Sequence, residues 1–265
     1  MRVLLTNDDG IRAEGLQTLR RALLTVPDIE LVVIAPDGNR SAMARSITTR
    51  RPLWVERIDF EDGTCGYATD GTPVDCVRLA TLGLVEGFEA EAIVSGINHG
   101  SNLGDDITYS GTVAAALEGV LLGLPAIAVS QQGDTGESDF TTTARFAAQL
   151  VDRLDEVPLP QGTLLNVNTP AREPVGVEVC KLGKRVYSDE LQLKADEGAR
   201  RQYWIYGSEM EHSFVPGDGT DLEAVHAGRI AVTPLHFDLT DVAGMEALRR
   251  YDLARMIAPA ARELE

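Results

Sequence analysis

Residues 91–130 read EAIVSGINHGSNLGDDITYSGTVAAALEGVLLGLPAIAVS, and the order of segments in this stretch decides the fold. EAIVS (91–95) is a short apolar run with β-branched residues, which reads as a strand. VAAALEGVLLG (113–123) has the composition of a buried helix, and PAIAVS (125–130) is a second apolar strand. Strand, helix and strand in succession form the unit of a parallel sheet, because parallel strands need a long crossover between them. Between the first strand and the helix lies a polar, glycine-rich loop, GINHGSNLGDDITYSGT.

The same alternation continues in both directions. Residues 2–6 form an apolar strand, and AEGLQTLRRALLT (13–25) a helix with Leu16, Leu19, Leu23 and Leu24 on one face. ELVVIA (30–35) is a strand ending at Pro36-Asp37-Gly38. ITTRRPLWVERIDF (47–60) suits an extended segment, and GYATDGTP (66–73) a strand and turn. Pro73 opens a helix that continues through VDCVRLATLGL. Further on, 140–154 is a helix and 163–170 a strand. Strands that are apolar throughout belong to a sheet covered on both faces. The expected fold is therefore α/β: a three-layer, Rossmann-like, mostly parallel sheet. After residue 170, VGVEVCKLG (175–183) and RRQYWIYGS (200–208) read as hairpin strands flanking the loop 186–200. RIAVTPLHFDLTD (229–241) reads as a strand leading out of the core. MEALRRYDLARMIAPAARELE (245–265) reads as a final helix with Leu248, Tyr251, Leu253 and Met256 as its apolar positions. The expected organisation is a core over 1–235 that includes a hairpin near 181–207, followed by an arm over 236–265.

Ligands of such sheets bind at the carboxyl ends of the strands, and the chemistry-bearing loops fall there. Asn7-Asp8-Asp9-Gly10 follows the first strand, Asn39-Arg40-Ser41 the second, and Gly96-Ile97-Asn98 the strand at 91–95. A single aspartate in a turn is commonplace. Two adjacent ionised carboxylates repel each other in a low-dielectric place, unless a cation offsets them or one takes up a proton. Oxygen donors favour Mg²⁺, Mn²⁺ or Ca²⁺. Asn98 offers an amide oxygen, Ser41 a neutral oxygen, and Arg40 and Arg45 are nearby cations. Tyr109-Ser110-Gly111-Thr112 opens a helix, where hydroxyls, backbone N–H groups and the helix dipole suit a phosphate. Asp105-Asp106 reads as an exposed acidic turn, His99 as a solvated loop residue and His236 as structural.

The chain has 265 residues, 44% of them hydrophobic, and a net charge of −17. That charge argues against broad binding of nucleic acid or acidic membranes. Lys181, Lys184 and Lys194 are the only lysines, which fits either a salt-rich cytoplasm or arginine-favouring codon usage. No secretory leader or membrane-length apolar run is read, and the three scattered cysteines suit a reducing compartment, so a cytoplasmic protein is expected.

Seven segments occur in order: NDDG (7–10), the RS of APDGNRS (35–41), GTPVDCV (71–77), SGIN (95–98), GSNLGDDITYSGTVAAALEG (100–119), NVNTP (166–170) and VTPL (232–235). Together they resemble the SurE family, the stationary-phase survival proteins, over nearly the whole chain. The resemblance implies a metal-dependent 5′/3′-nucleotidase acting on nucleoside monophosphates. It implies one divalent ion, Mg²⁺ or Mn²⁺, held by Asp8, Asp9, Ser41 and Asn98. Phosphate would be held at Ser110, Gly111 and Thr112, with Asn7, Gly10, Arg40 and Asn102 as further substrate contacts. Asp8 and Asp9 would be catalytic, with Asp9 favoured as proton relay. Homodimers exchanging the C-terminal segment, and tetramers paired through the hairpin, are implied as well. One position departs from the family, which usually has glycine after the metal-binding serine; here it is Ala42.

Other readings remain at this point. The same parts serve an exopolyphosphatase or another phosphomonoesterase, or a nucleotide-binding regulator without turnover. An aspartyl-phosphate phosphatase is disfavoured, because its two aspartates are separated by one residue and these are adjacent.

Overall fold

The computed structural model describes residues 1–133, 138–186, 190–205, 214–251 and 253–256. Its centre is a nine-stranded sheet in the order β3-β4-β2-β1-β5-β6-β7-β13-β8. These strands are β1 (Arg2–Thr6), β2 (Glu30–Pro36), β3 (Val55–Asp59), β4 (Cys65–Thr69), β5 (Ala92–His99), β6 (Ala126–Gln131), β7 (Thr163–Thr169), β8 (Val177–Val179) and β13 (Ile230–His236). Neighbours run parallel except β3–β4 and β7–β13. The four large crossover helices are α1 (Glu14–Leu23), α2 (Pro73–Thr81), α3 (Gly111–Leu121) and α4 (Thr141–Asp152).

Side-chain alternation along β1 shows why the sheet needs helices on both faces. Val3 and Leu5 join a core with Leu16, Leu19 and Leu23 of α1 and Ala144, Ala147 and Val151 of α4. Leu4 points the other way, into a core with Val77 of α2 and Val113 and Ala116 of α3. All three β1 residues are fully buried. Helix α2 starts where Pro73 predicts. Thr72 N donates to Asp75 Oδ2 at 2.9 Å and Asp75 N to Thr72 Oγ1 at 3.2 Å, a reciprocal capping box.

Several expectations shift. Helix α1 ends at Leu23, and Leu24 is exposed. Only Val55–Asp59 of the stretch 47–60 is a strand. β5 runs on through Gly96 to His99, with an irregularity between Ser95 and Asn98. Gly96 is required there, since a Cβ would lie 2.2 Å from the Val129 carbonyl oxygen. Residues 175–183 are not a hairpin strand: Val177–Val179 form β8, the edge of the main sheet, parallel to β13. The hairpin lies within 192–204, as β10 (Gln192–Asp196) against antiparallel β11 (Arg201–Trp204). A two-residue pairing joins β9 (Lys184–Arg185) to β12 (Phe214–Val215). Helix α5 (Asp221–His226) packs Leu222, Ala224 and Val225 against Ala231 of β13. The expected last helix begins earlier, as α6 (Val242–Arg249), and a 3-10 turn follows at Leu253–Met256. The remainder of that expectation, 257–265, lies outside the described residues, as do 206–208 of the expected second hairpin strand.

The site is positioned by strand order. The chain leaves β1 toward β2 on one side and leaves β5 toward β6 on the other, so β1 and β5 flank the reversal point of the sheet. The loops after β1, β2 and β5 therefore meet at one rim.

Candidate metal and phosphate site

At the end of β1 the backbone turns sharply. Asn7 closes the turn on Gly10: its Nδ2 donates to the Gly10 carbonyl at 3.0 Å, and Gly10 N donates to its Oδ1 at 3.2 Å. Both polar ends of Asn7 are thereby used inside the protein. The turn aims Asp8 inward, where it is 3% exposed. Thr112 Oγ1 donates to Asp8 Oδ1 at 2.5 Å, and Thr112 N to Oδ2 at 3.1 Å. Asp8 thus sits at the positive end of α3. Gly111 makes room for it, since a Cβ there would lie 2.8 Å from Asp8 Oδ2. Asp9 is half-buried, and its Oδ2 accepts from His99 N at 3.1 Å.

The loop after β2 is tied to this rim by its backbone. Arg40 N donates to the Asp8 carbonyl at 2.6 Å, and Ala44 N to the Tyr109 carbonyl at 3.0 Å. Ser41 N donates to Asn39 Oδ1 at 2.8 Å, while the Ser41 side chain lies in an exposed residue. The Arg40 guanidinium folds back on its own loop, onto Asp37 at 2.6 Å and the Asn39 carbonyl at 3.1 Å. Ala42 has φ 58° and Ala44 has φ 50°. Glycine takes such left-handed backbone freely, whereas an L side chain costs about 1–2 kcal/mol. The missing glycine at 42 thus has a structural counterpart.

In the third loop Asn98 Nδ2 donates to the Gly100 carbonyl at 2.8 Å, and among the described residues no donor is bonded to its Oδ1. Ser110 caps α3 by accepting from Val113 N at 3.1 Å. Asn102 is buried and locked. Its N donates to Asn168 Oδ1 at 2.8 Å and its Nδ2 to Ser130 Oγ at 2.7 Å; its carbonyl accepts from Asn166 and Asn168 at 2.9 and 3.0 Å. Asp105 is exposed as expected, whereas Asp106 is half-buried and pairs with Arg185 at 2.5 Å. His99 is exposed, with Ser138 Oγ 3.1 Å from its Nε2.

Burial pushes both carboxyls up from the ordinary aspartate range. For Asp8 desolvation outweighs the bonds from Thr112. For Asp9 desolvation outweighs the His99 bond, and the Asp8 charge raises it further. A divalent cation would reverse this cost. Among the described residues no three His, Cys, Asp or Glu side chains gather. A cation at this rim would therefore rely on Asp8 and Asp9 together with neutral oxygens, the donor set of a hard ion. The residues present fit Mg²⁺ or Mn²⁺.

Two groups of supporting residues receive no role in a reading of the sequence, although Asn166 and Asn168 fall within the NVNTP segment. Asn166 and Asn168 stand two apart in the apolar strand TLLNVNT, and that spacing put them on one face and was the available signal. Glu118, mid-helix in α3, is ion-paired with both Arg45 and Arg78. Partners 73 residues apart leave no local pattern.

A family profile described as "Survival protein SurE" matches residues 3–189. The chain is 49% identical over 268 residues to the 5′-nucleotidase SurE of Rubrobacter xylanophilus, covering 97% of this chain and 99% of that one. It is 43% identical over 254 residues to the 5′-nucleotidase SurE of Syntrophotalea carbinolica, covering 96% and 98%. A crystal structure of the SurE protein from Aquifex aeolicus superposes with a TM-score of 0.80 at 38% identity, covering 94% of this chain and 99% of that one.

Proposed function

This chain belongs to the SurE family, and from that premise we propose that it hydrolyses nucleoside 5′-monophosphates, and 3′-monophosphates as well, to nucleoside and phosphate. The activity class follows its relatives, which are named 5′-nucleotidases. The single observation that carries the metal-dependent reading is the pair Asp8–Asp9, two half-to-fully buried carboxylates whose ionisation the fold penalises. Asp8, Asp9, Ser41 and Asn98 would hold one Mg²⁺ or Mn²⁺. When bound, such an ion supplies a more acidic water and neutralises charge on the transferring phosphoryl group.

The chain's own residues divide the remaining work. Thr112 fixes Asp8 in one orientation through two bonds, so this carboxylate enters the reaction preorganised. Asp9 is held only through Oδ2, and among the described residues no donor is bonded to its Oδ1. Oδ1 is the atom to take a proton from the attacking water. Ser110, Gly111 and Thr112 bring the positive end of α3 toward the phosphoryl oxygens, and Arg40 could exchange Asp37 for the substrate. Asn7, Gly10 and Asn102 act by shaping the loops, since their polar groups are spent inside the protein.

The reading includes a homo-oligomer built through the hairpin and the arm, because α6 has no buried residue and carries exposed Val242, Met245 and Leu248. No described helix is long and apolar enough to cross a membrane, and a cytoplasmic nucleotide pool is the proposed setting. The test is phosphate release from 5′- and 3′-nucleoside monophosphates and short polyphosphate, with Mg²⁺, with Mn²⁺ and with EDTA. Metal-dependent release led by the 5′-nucleotides supports the proposal. Release only from polyphosphate would move the substrate class, and release undiminished by EDTA would remove the metal.

A further inference from the structure

Glu118 is out of place by composition. Its side chain is 2% exposed in a helix that is apolar from Val113 to Leu117, and it is gripped by two guanidinium groups, Arg45 and Arg78. A buried carboxylate of this kind is a poor source of stability compared with an apolar side chain of similar size. Its partners suggest a different use. Arg78 comes from α2, but Arg45 comes from the loop after β2, one residue beyond Ala44. We propose that Arg45 is a positioning residue: its bond to Glu118 holds the loop of Ala42 and Ala44 in left-handed backbone, and so keeps Ser41 at the metal rim. The proposal rests on the metal-dependent reading above.

Four further observations support it. The loop has backbone anchors before and after Ser41, from Arg40 to the Asp8 carbonyl and from Ala44 to the Tyr109 carbonyl. Just downstream, Thr72 Oγ1 donates to the Ser46 carbonyl at 2.8 Å. Arg45 is the one side chain of residues 40–46 with an ion pair to another element among the described residues. The Phe237 ring lies against the Arg45 guanidinium, 5.0 Å from its centroid, and screens one side of the clamp from water. Helix α3 thereby serves both halves of the rim. Its first turn orients Asp8 through Thr112, and two turns further on it secures the Ser41 loop through Glu118. Without the clamp, two alanines at positive φ would relax toward ordinary backbone and carry Ser41 with them.

The experiment is Mn²⁺ titration by calorimetry of the EDTA-stripped full chain, with hydrogen exchange of the amides at 37–46 read in parallel. Arg45→Ala is expected to weaken Mn²⁺ binding about 10-fold, as loss of an outer support typically does, and to speed exchange in that loop. Arg45→Lys should recover part of the affinity. Adding Ala42→Gly to Arg45→Ala should recover most of it, because glycine holds positive φ unaided. Arg78→Ala should lower the melting temperature while leaving Mn²⁺ affinity within about twofold. Wild-type protein that binds Mn²⁺, with Arg45→Ala binding equally well or Arg78→Ala losing as much, overturns the clamp alone. Wild-type protein that takes up no Mn²⁺ overturns the metal reading and the clamp with it.

Discussion

Helices α3 and α6 lie in the same chain and behave oppositely. In α3 every residue but Leu117 and Leu121 is buried, including the charged Glu118. In α6 no residue is buried, although Met245 and Leu248 are apolar. The difference is one of partners. α3 packs on β5 and β6 beside α2 and delivers its N-terminus to Asp8. α6 follows β13 out of the sheet and presents its apolar side to solvent. An apolar helix face is stable when something covers it; α3 is covered by its own chain, and α6 is the face on which the proposed homo-oligomer would form. The proposed chemistry falls at the finished helix, and the proposed association at the unfinished one.

The largest effect that would break this division is at the rim. Asp9→Asn is expected to reduce phosphate release by about 10³-fold or more while the far-ultraviolet circular dichroism stays unchanged. Gly111→Ala follows, because its Cβ would fall 2.8 Å from Asp8 Oδ2; activity should drop by about 10²-fold, and wild-type turnover would refute the close approach. Leu19→Ala, in the finished core, should cost about 2–5 kcal/mol in urea unfolding. Leu248→Glu with Tyr251→Glu should cost little folding stability within a subunit but shift sedimentation toward the monomer mass. A pair that leaves the mass unchanged would remove the arm from the interface.

The smallest effect is in pH dependence. Asp8 and Asp9 have pKa values raised above the ordinary 3.8 in the folded state. Their contribution to stability is therefore whole below that ordinary value and is lost as pH rises through the raised ones. In EDTA the melting temperature of the wild type should fall over that rise relative to Asp8→Asn, and Mn²⁺ should remove the difference. Parallel curves in EDTA would contradict the burial cost.

The core was legible because strands covered on both faces carry unbroken apolar runs, Val3–Leu5 in β1 and Ala126–Val129 in β6, that stand out from their neighbours. The elements misread were those with weak or misleading burial. β8 alternates as an edge strand, with Val177 and Val179 exposed, and so resembled a hairpin strand. β10 is exposed along its length and carries no pattern. The extension of β5 was hidden by Gly96, which reads as a loop residue but is there for close packing. At the rim, adjacent carboxylates announce themselves by charge alone. The consequence of Ala42 was legible as a departure from glycine and appears as positive φ. The Glu118 clamp was not legible, since a glutamate within a helix ordinarily reads as a solvated charge.

The most direct test of the central claim is the stoichiometry of Mn²⁺ bound by the EDTA-stripped full chain, measured by electron paramagnetic resonance, in wild type, Asp8→Asn and Asp9→Asn. One tightly bound ion per chain is expected in the wild type and none retained at the same free Mn²⁺ in either variant. Equal binding by all three proteins would place any metal elsewhere and leave the paired aspartates as a turn.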